Sequence, residues 1–165
     1  KTIIKKFPEW KFRIIGTEKA GQKILSSTYA KNLIRDFESL GSNTEYLGFI
    51  SNIDVSNILK KTSILIVPSI WQEPFALTAL EGVCNGAAVI ASKVGGMQEM
   101  LEDVGMLIND IDAIKLEKSI LSLLENENLL NNYHNKSWLN YKYNQKDIVK
   151  IQDEVRTKIF NKYNY

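Results

Sequence analysis

The sequence is short of residues on which several classes of protein depend. It has one cysteine, Cys84, so no disulfide can form within the chain, and a reducing compartment fits. It has one histidine, His134, which we expect on the surface; a histidine without a partner makes neither a zinc site nor a catalytic triad. No apolar run approaches the roughly 18–20 residues of a membrane span. Disulfide scaffolds, zinc enzymes and membrane spans are therefore disfavoured for this sequence.

Arginine is scarce as well. The 165 residues carry a net charge of +2, and the only arginines are Arg13, Arg35 and Arg156. Because bidentate recognition of phosphate depends on arginine, this composition gives no argument for a nucleic-acid partner. The length and the apolar fraction of 44% suit one globular domain with a sizeable core.

Strand-like and helix-like stretches alternate along the chain and predict an α/β fold. The predicted strands are the short apolar runs 10–17, 44–50, 63–69, 87–92 and 104–110; we expect the first to be buried and the third to be covered on both faces. The predicted helices cover 1–7, 22–41, 54–62, 75–86, 95–102, 111–127, 128–143 and 145–163. Such alternation favours a parallel sheet with helices on both faces.

Two of the predicted helices have assignable apolar faces. In the helix at 75–86, Leu77, Leu80 and Cys84 are expected to share one buried stripe, with Gly86 as the stop signal. The last helix is amphipathic, and its apolar positions are Ile148, Ile151, Val155 and Ile159.

The ends of the predicted strands indicate where a ligand would bind. In an open parallel sheet, ligands lie beyond the carboxyl ends of the strands. The loops that follow strand ends are 16–17, 48–51, 68–73 and 92–96, and we expect them to converge on one crevice. Glycine in these loops lets the backbone approach a ligand closely.

Two glutamates, Glu73 and Glu81, stand eight positions apart around a predicted helix start. Pro74 disfavours helix at Glu73, so Glu73 is placed in the loop and the helix is expected to begin between Phe75 and Leu77. The first amides of that helix lack internal partners and carry partial positive charge, which makes an anion site. Because carboxylates repel phosphate but accept hydrogen bonds from hydroxyls, the segment suits a nucleotide sugar, with a diphosphate between two hydroxyl-bearing rings.

The same segment carries a family resemblance. "SILIVPSIWQEPFALTALEGVCNGAAVIASKVGGMQEML" resembles the donor-binding domain of retaining GT-B glycosyltransferases of the glycogen-synthase-like, group 1 type, with Glu73 and Glu81 as the E-x7-E motif. "WKFRIIGT" and "TEYLGFIS" resemble the family's glycine loop and the loop that borders the base. The resemblance extends over nearly the whole chain and implies a Rossmann-like sheet, one half of a GT-B fold, followed by C-terminal helices.

The resemblance also implies roles for individual residues. Glu73 would be the catalytic carboxylate, accepting hydrogen bonds from donor-sugar hydroxyls near the reacting carbon, and Glu81 would hold the ribose hydroxyls. The backbone amides of Phe75, Ala76 and Leu77 would face the sugar and the diphosphate, and the Thr78 hydroxyl would contact the phosphate. Gly16 and Thr17 would border the diphosphate. Phe49 and Ile50 would lie along the base.

The sequence departs from the family pattern in several places. Ala76 stands where many members have glycine, so its methyl group is expected to narrow the sugar pocket. The glycine loop at Gly16 has less glycine than is usual in the family, and Thr17 and Glu18 follow it. The family's first donor-domain strand, with an Arg and a Lys for the diphosphate, and its whole N-terminal acceptor domain would precede Lys1. We therefore expect residues 1–165 to be a truncated donor domain that binds weakly and performs no transfer by itself.

For the whole enzyme, the resemblance implies transfer of a hexose from a nucleoside-diphosphate sugar to an acceptor hydroxyl with retention of configuration. No metal cofactor is expected, because amides and cations replace Mg²⁺. The expected partners are the donor, the acceptor domain and a glycan or lipid-linked acceptor. The Lys-, Asn- and Ile-rich composition fits a bacterial protein. That association favours a cytoplasmic role in lipopolysaccharide or capsule biosynthesis, at the inner face of the membrane through the acceptor domain.

Other interpretations remain open. Glu73 alone would also serve as a helix cap, and Glu81 alone as a solvated helix residue. A sugar-nucleotide epimerase or phosphorylase with the same half-fold is an alternative enzyme. A non-catalytic nucleotide-binding or interaction domain is an alternative from another class.

Overall fold

The computed structural model describes residues 2–18, 25–139 and 145–163. The chain divides into two compact units, Lys1–Lys61 and Thr62–Tyr165, which we call unit 1 and unit 2. All paired strands within each unit are parallel. The predicted α/β class is confirmed, although the strands form one sheet in each unit where the sequence suggested a single sheet.

Unit 1 is built on a two-stranded sheet. Its elements in chain order are α1 (Thr2–Lys6), β1 (Phe12–Ile15), α2 (Thr28–Glu38), β2 (Thr44–Gly48) and α3 (Asn52–Leu59). Arg13 of β1 lies opposite Glu45 of β2 and donates to its carboxylate at 2.9 Å, while Lys11 lies 3.0 Å from the same oxygen. These bonds, with that from Arg13 foremost, lower the pKa of the Glu45 carboxyl and support the strand register.

Two predictions for unit 1 are corrected. β1 is not buried: its side chains alternate between half-buried and exposed, and Ile15 is exposed, as expected of a strand that pairs on one side only and has one covered face. α2 begins at Thr28, later than predicted, because the Ser27 side chain caps it by accepting from the Ala30 amide. The predicted helical segment 22–24, including Ile24, lies outside the described residues.

Unit 2 is built on a three-stranded sheet in the order β3-β4-β5. Its elements in chain order are β3 (Ile64–Val67), α4 (Leu77–Cys84), β4 (Ala88–Ser92), α5 (Met97–Leu101), β5 (Met106–Ile108), α6 (Ala113–Leu124), α7 (Glu127–Leu139) and α8 (Gln145–Tyr163). Every residue of the central strand β4 is buried. The prediction that β3 is covered on both faces is wrong at Ile66, which is exposed on this outer strand of the sheet.

Helix α4 packs against the sheet through small residues. A Cβ atom added at Gly82 would overlap a methyl group of Leu65 in β3 and lie 3.1 Å from Val89 of β4. The buried positions of the helix are Ala79, Leu80, Gly82 and Val83. The predicted stripe was therefore wrong at Leu77 and Cys84, which are both exposed. Several apolar spacings fit a short helix, and contact with the sheet selects the face that has the smallest residues.

The end of α4 is fixed by a Schellman motif, as Gly86 predicts. Gly86 has φ +80°, and its amide donates to the Val83 carbonyl at 2.9 Å. The next amide, of Ala87, donates to the Gly82 carbonyl at 3.0 Å. The chain then enters β4 directly, so the helix and the strand are held together at this end.

Helix α7 is anchored by two polar side chains. The buried Ser137 hydroxyl donates to the Ala87 carbonyl at 2.9 Å, and His134 Nε2 lies 2.9 Å from the Ser63 carbonyl oxygen. His134 is thus half-buried and hydrogen-bonded, where a surface position was expected. Both acceptors directly precede strands of the sheet.

Helix α8 has the bounds that its periodicity predicts. Its described apolar side chains are exposed, namely Val149, Val155, Ile159 and Phe160. The side chains of Ile148 and Ile151 lie outside the description.

Replacing Ser137 by Ala should destabilise the protein by about 1–3 kcal/mol, because the buried Ala87 carbonyl loses its hydroxyl donor. Urea unfolding followed by circular dichroism measures this difference. Ser122→Ala is the matched control: its hydroxyl bonds to Ser119 of its own helix, so the change should stay within about 0.5 kcal/mol. Equal effects of the two substitutions would show that the contact to Ala87 contributes nothing.

Candidate functional site

The start of α4 presents backbone amides without a cap. Helix α4 begins at Leu77, within the predicted interval, and its N-cap residue Ala76 makes no side-chain cap. Among the residues that the structure describes, the amides of Phe75, Ala76 and Thr78 have no hydrogen-bond acceptor, while the Leu77 amide turns back to the Phe75 carbonyl at 3.0 Å. Free amides at a helix start carry partial positive charge and bind anions.

Glu73 lies in the loop that leads to these amides, as Pro74 predicts. Its amide donates to the Trp71 carbonyl at 2.9 Å, which closes a tight turn. The Ser69 hydroxyl donates to Glu73 Oε1 at 3.3 Å. The Glu73 side chain is half-buried, so its carboxylate is both held and accessible.

Glu81 lies on the exposed face of α4, one turn past Leu77 and about 6 Å further along the helix axis. Within the described ranges its carboxylate has no ion-pair partner. Thr78 is exposed three positions earlier, on the same side of the helix. Glu73 and Glu81 thus lie before and after the uncapped turn.

Ala76 occupies a different environment from the one expected. Its side chain is only 6% exposed and belongs to the apolar core with Leu80 and Met97. The expectation that its methyl group narrows a ligand pocket is therefore wrong. Its φ of −78° is open to any residue, so glycine is not required here.

In unit 1, Gly16 and Thr17 follow β1. Gly16 has φ +119°, which favours glycine although a Cβ atom would meet nothing within 4 Å. Its amide donates to the Gly48 carbonyl at 2.8 Å, and its carbonyl accepts from the Tyr46 hydroxyl at 2.9 Å. Any contact of Gly16 with a ligand would accordingly be a close approach and not an amide hydrogen bond.

Phe49 and Ile50 connect β2 to α3. The Phe49 side chain is 48% exposed, so it is available as an apolar surface, and Ile50 is half-buried. Ser51 then caps α3 by accepting from the Asp54 amide. The roles proposed for these two residues stay predictions.

Unit 1 also contains a carboxylate, that of Glu18, for which the sequence predicted no role. Glu18 accepts from the Ser26 amide at 2.7 Å, from the Ser27 amide at 3.0 Å and from the Ser26 hydroxyl at 3.1 Å. These bonds, those of Ser27 first, lower the pKa of the Glu18 carboxyl to about 2. The exposed Glu18 thereby holds a carboxylate at the Ser26 and Ser27 amides, which directly precede α2.

A family model named "Glycosyl transferases group 1" matches residues 1–138. The chain belongs to this family. It is 34% identical over 123 residues to an uncharacterised glycosyltransferase of Methanocaldococcus jannaschii, a match covering 73% of this chain and 32% of that protein. It is 30% identical over 93 residues to the lipopolysaccharide 1,2-N-acetylglucosaminetransferase of Salmonella typhimurium, covering 56% of this chain and 24% of that protein. The chain therefore spans a third or less of the length of these relatives.

Solved structures confirm the fold. Anabaena HepE in complex with UDP superposes with a TM-score of 0.73 at 21% identity, covering 93% of this chain and 42% of HepE. The C-terminal domain of LpcC, a glycosyl transferase group 1 family protein from Francisella tularensis, gives a TM-score of 0.68 at 21% identity, covering 83% of this chain and 70% of that domain. The parallel sheets flanked by helices are those of a GT-B glycosyltransferase.

Two further observations concern metal ions and membranes. Within 2–18, 25–139 and 145–163, no three His, Cys, Asp or Glu residues come together as possible metal ligands. No helix in those ranges is both long and apolar enough to cross a bilayer. The expectation of a metal-free reaction stays a prediction.

Glu18→Gln should lower the melting temperature at pH 7 and have less effect as the solution is acidified. The folded-state pKa of about 2 lies below the ordinary value of 4.5, so the carboxylate stabilises the fold above pH 4.5 and loses this effect as the pH falls toward 2. Melting curves of parent and variant between pH 7 and pH 3 test this. Glu9→Gln, at another exposed carboxylate, controls for charge; an equal, pH-independent loss in both variants would contradict the assignment.

Proposed function

We propose that this chain is the donor-binding part of a glycosyltransferase that uses a nucleoside-diphosphate sugar. The observation that carries the proposal is the uncapped start of α4, with free amides at Phe75, Ala76 and Thr78 between the carboxylates of Glu73 and Glu81. Family membership and the UDP complex of HepE support it.

The charges of the segment match the parts of such a donor. The diphosphate is the anion for the free amides, since these lie at the end of the helix where its dipole is positive. Glu73 accepts hydrogen bonds from sugar hydroxyls, and Glu81 accepts them from ribose hydroxyls. Each carboxylate is then kept away from the phosphates, which would repel it.

The same arrangement assists transfer. As the bond between the sugar and the phosphate loosens, negative charge builds on the leaving diphosphate, and preorganised amides stabilise it. Glu73 orients the sugar and favours the positive charge that develops on its ring. The departing diphosphate guides the acceptor to the same face of the sugar, so configuration is retained without a nucleophilic carboxylate. Mg²⁺ is not required in this scheme.

The remaining components lie outside this chain. We assign the cations for the diphosphate and the acceptor site to other parts of the complete protein, so this chain alone is expected to bind weakly and to perform no transfer. The lipopolysaccharide transferase of Salmonella among its relatives supports a role in bacterial cell-surface glycan synthesis. Sugar transfer to a glycan or lipid-linked acceptor would take place in the cytoplasm, at the inner face of the membrane.

Glu81→Ala should weaken binding of free nucleoside diphosphate to the complete protein by about 10- to 100-fold, the value of hydrogen bonds to a charged group. Glu73→Ala should leave free nucleotide binding unchanged and remove the additional affinity for the sugar nucleotide. Calorimetric titration with UDP, GDP and ADP, and with the glucose conjugate of each, measures both effects.

Glu154→Ala removes an exposed carboxylate from α8 and serves as the charge-matched control, with no change in either affinity. Binding of none of the six ligands by the complete protein would refute the proposal. Release of nucleoside diphosphate only when an acceptor glycan is present separates a transferase from an epimerase. A protein that binds the donor but never consumes it would be a binding module.

A further inference from the structure

The loop after β4, which contains Gly95 and Gly96, contacts the loop that carries Glu73 through hydrogen bonds. The Gly96 amide donates to the Glu73 carbonyl at 2.7 Å, and the Gly95 amide donates to Gln72 Oε1 at 2.9 Å. The sequence marked both loops as strand ends, but nothing in it indicated that one holds the other.

The contact leaves no room for side chains. A Cβ atom at Gly95 would overlap the Glu73 carbonyl oxygen and lie 2.8 Å from the Glu73 nitrogen; a Cβ atom at Gly96 would overlap the Pro74 carbonyl oxygen. Gly95 also has φ +51°, in the left-handed region. The opposing atoms are all backbone, so no flexible side chain can move aside to relieve the overlap.

The Glu73 carboxylate is held from the other side by Ser69, whose hydroxyl donates to Oε1 at 3.3 Å and accepts from the Trp71 amide at 3.3 Å. Glu73 is therefore fixed at its carbonyl by Gly96 and at its carboxylate by Ser69. A glutamate side chain that is already ordered loses less conformational entropy when it binds a hydroxyl.

We infer that the Gly95–Gly96 turn is a positioning element for Glu73, and that it controls recognition of the sugar half of the donor. This inference rests on the proposed function. The turn sets the backbone from which the carboxylate extends, whereas Glu81 belongs to α4, which the Gly82 contact and the Schellman motif fix independently. Disturbing the turn thus weakens sugar recognition, through Glu73, more than nucleotide recognition, through Glu81 and the Thr78 amide.

Gly95→Ala tests this, with Gly86→Ala as the matched control. Gly86 also has a positive φ, and a Cβ atom there would lie 2.6 Å from Trp138 Nε1, but it precedes β4 whereas Gly95 follows it. Both variants should lower the melting temperature. Only Gly95→Ala should speed amide hydrogen exchange at Glu73 and Gly96, whose amides are hydrogen-bonded in the parent. Only it should lower the ratio of UDP-glucose to UDP affinity, by about 10- to 100-fold.

Unchanged exchange at Glu73 and Gly96 in a folded Gly95→Ala variant, or an equal change in Gly86→Ala, would overturn the inference, as would an unchanged affinity ratio. If Gly95→Ala does not fold, Gln72→Ala removes the acceptor of the Gly95 amide without adding atoms and should give the same pattern more weakly. If the parent binds neither UDP nor UDP-glucose nor the other sugar nucleotides, the proposed function fails, and hydrogen exchange alone still decides whether the turn fixes the loop.

Discussion

Unit 2 is organised around the place where α4 meets β3 and β4, and where one helix residue must have no side chain. Gly82 lets the helix backbone approach Leu65 and Val89 more closely than any other residue would allow. The strand β4 is buried along its whole length, so a side chain at Gly82 would find no space in this contact. The Schellman motif at Gly86 then fixes the end of the helix, so its first turn has a defined position.

That first turn forgoes stability that a cap would supply. A Ser, Thr, Asp or Asn at the N-cap stabilises a helix by about 0.5–2 kcal/mol relative to Ala, and α4 has Ala76 there. In the same protein, α2, α3 and α6 have Ser27, Ser51 and Asp112 as capping residues. Helix α4, which carries the glutamate motif, has no side-chain cap, and neither does the short α5 with Gly96 at its N-cap. Local violations of this kind are typical of functional sites, where an empty position serves a ligand.

The sequence predicted the element order, the start of α4 and the loop position of Glu73, because Pro74, Gly86 and the apolar runs act locally. It did not predict which face of α4 is buried, since Leu77 and Leu80 fit a stripe equally well and only the sheet distinguishes them. The environments of Ala76 and His134 and the contact of Gly95 with Glu73 were also missed. Each depends on residues distant in the chain, and a single sequence contains no signal for such pairs.

The exposed thiol of Cys84 gives this chain a single site for chemical labelling. The thiol is its only cysteine, and it lies three positions past Glu81, about 4.5 Å further along the helix axis. Leu77, Glu81 and Cys84 share the solvent-facing side of α4, opposite the face that packs on the sheet. A thiol-reactive fluorophore would therefore label this chain at Cys84 without engineered cysteines. Its emission would respond to a ligand that binds beside Glu81.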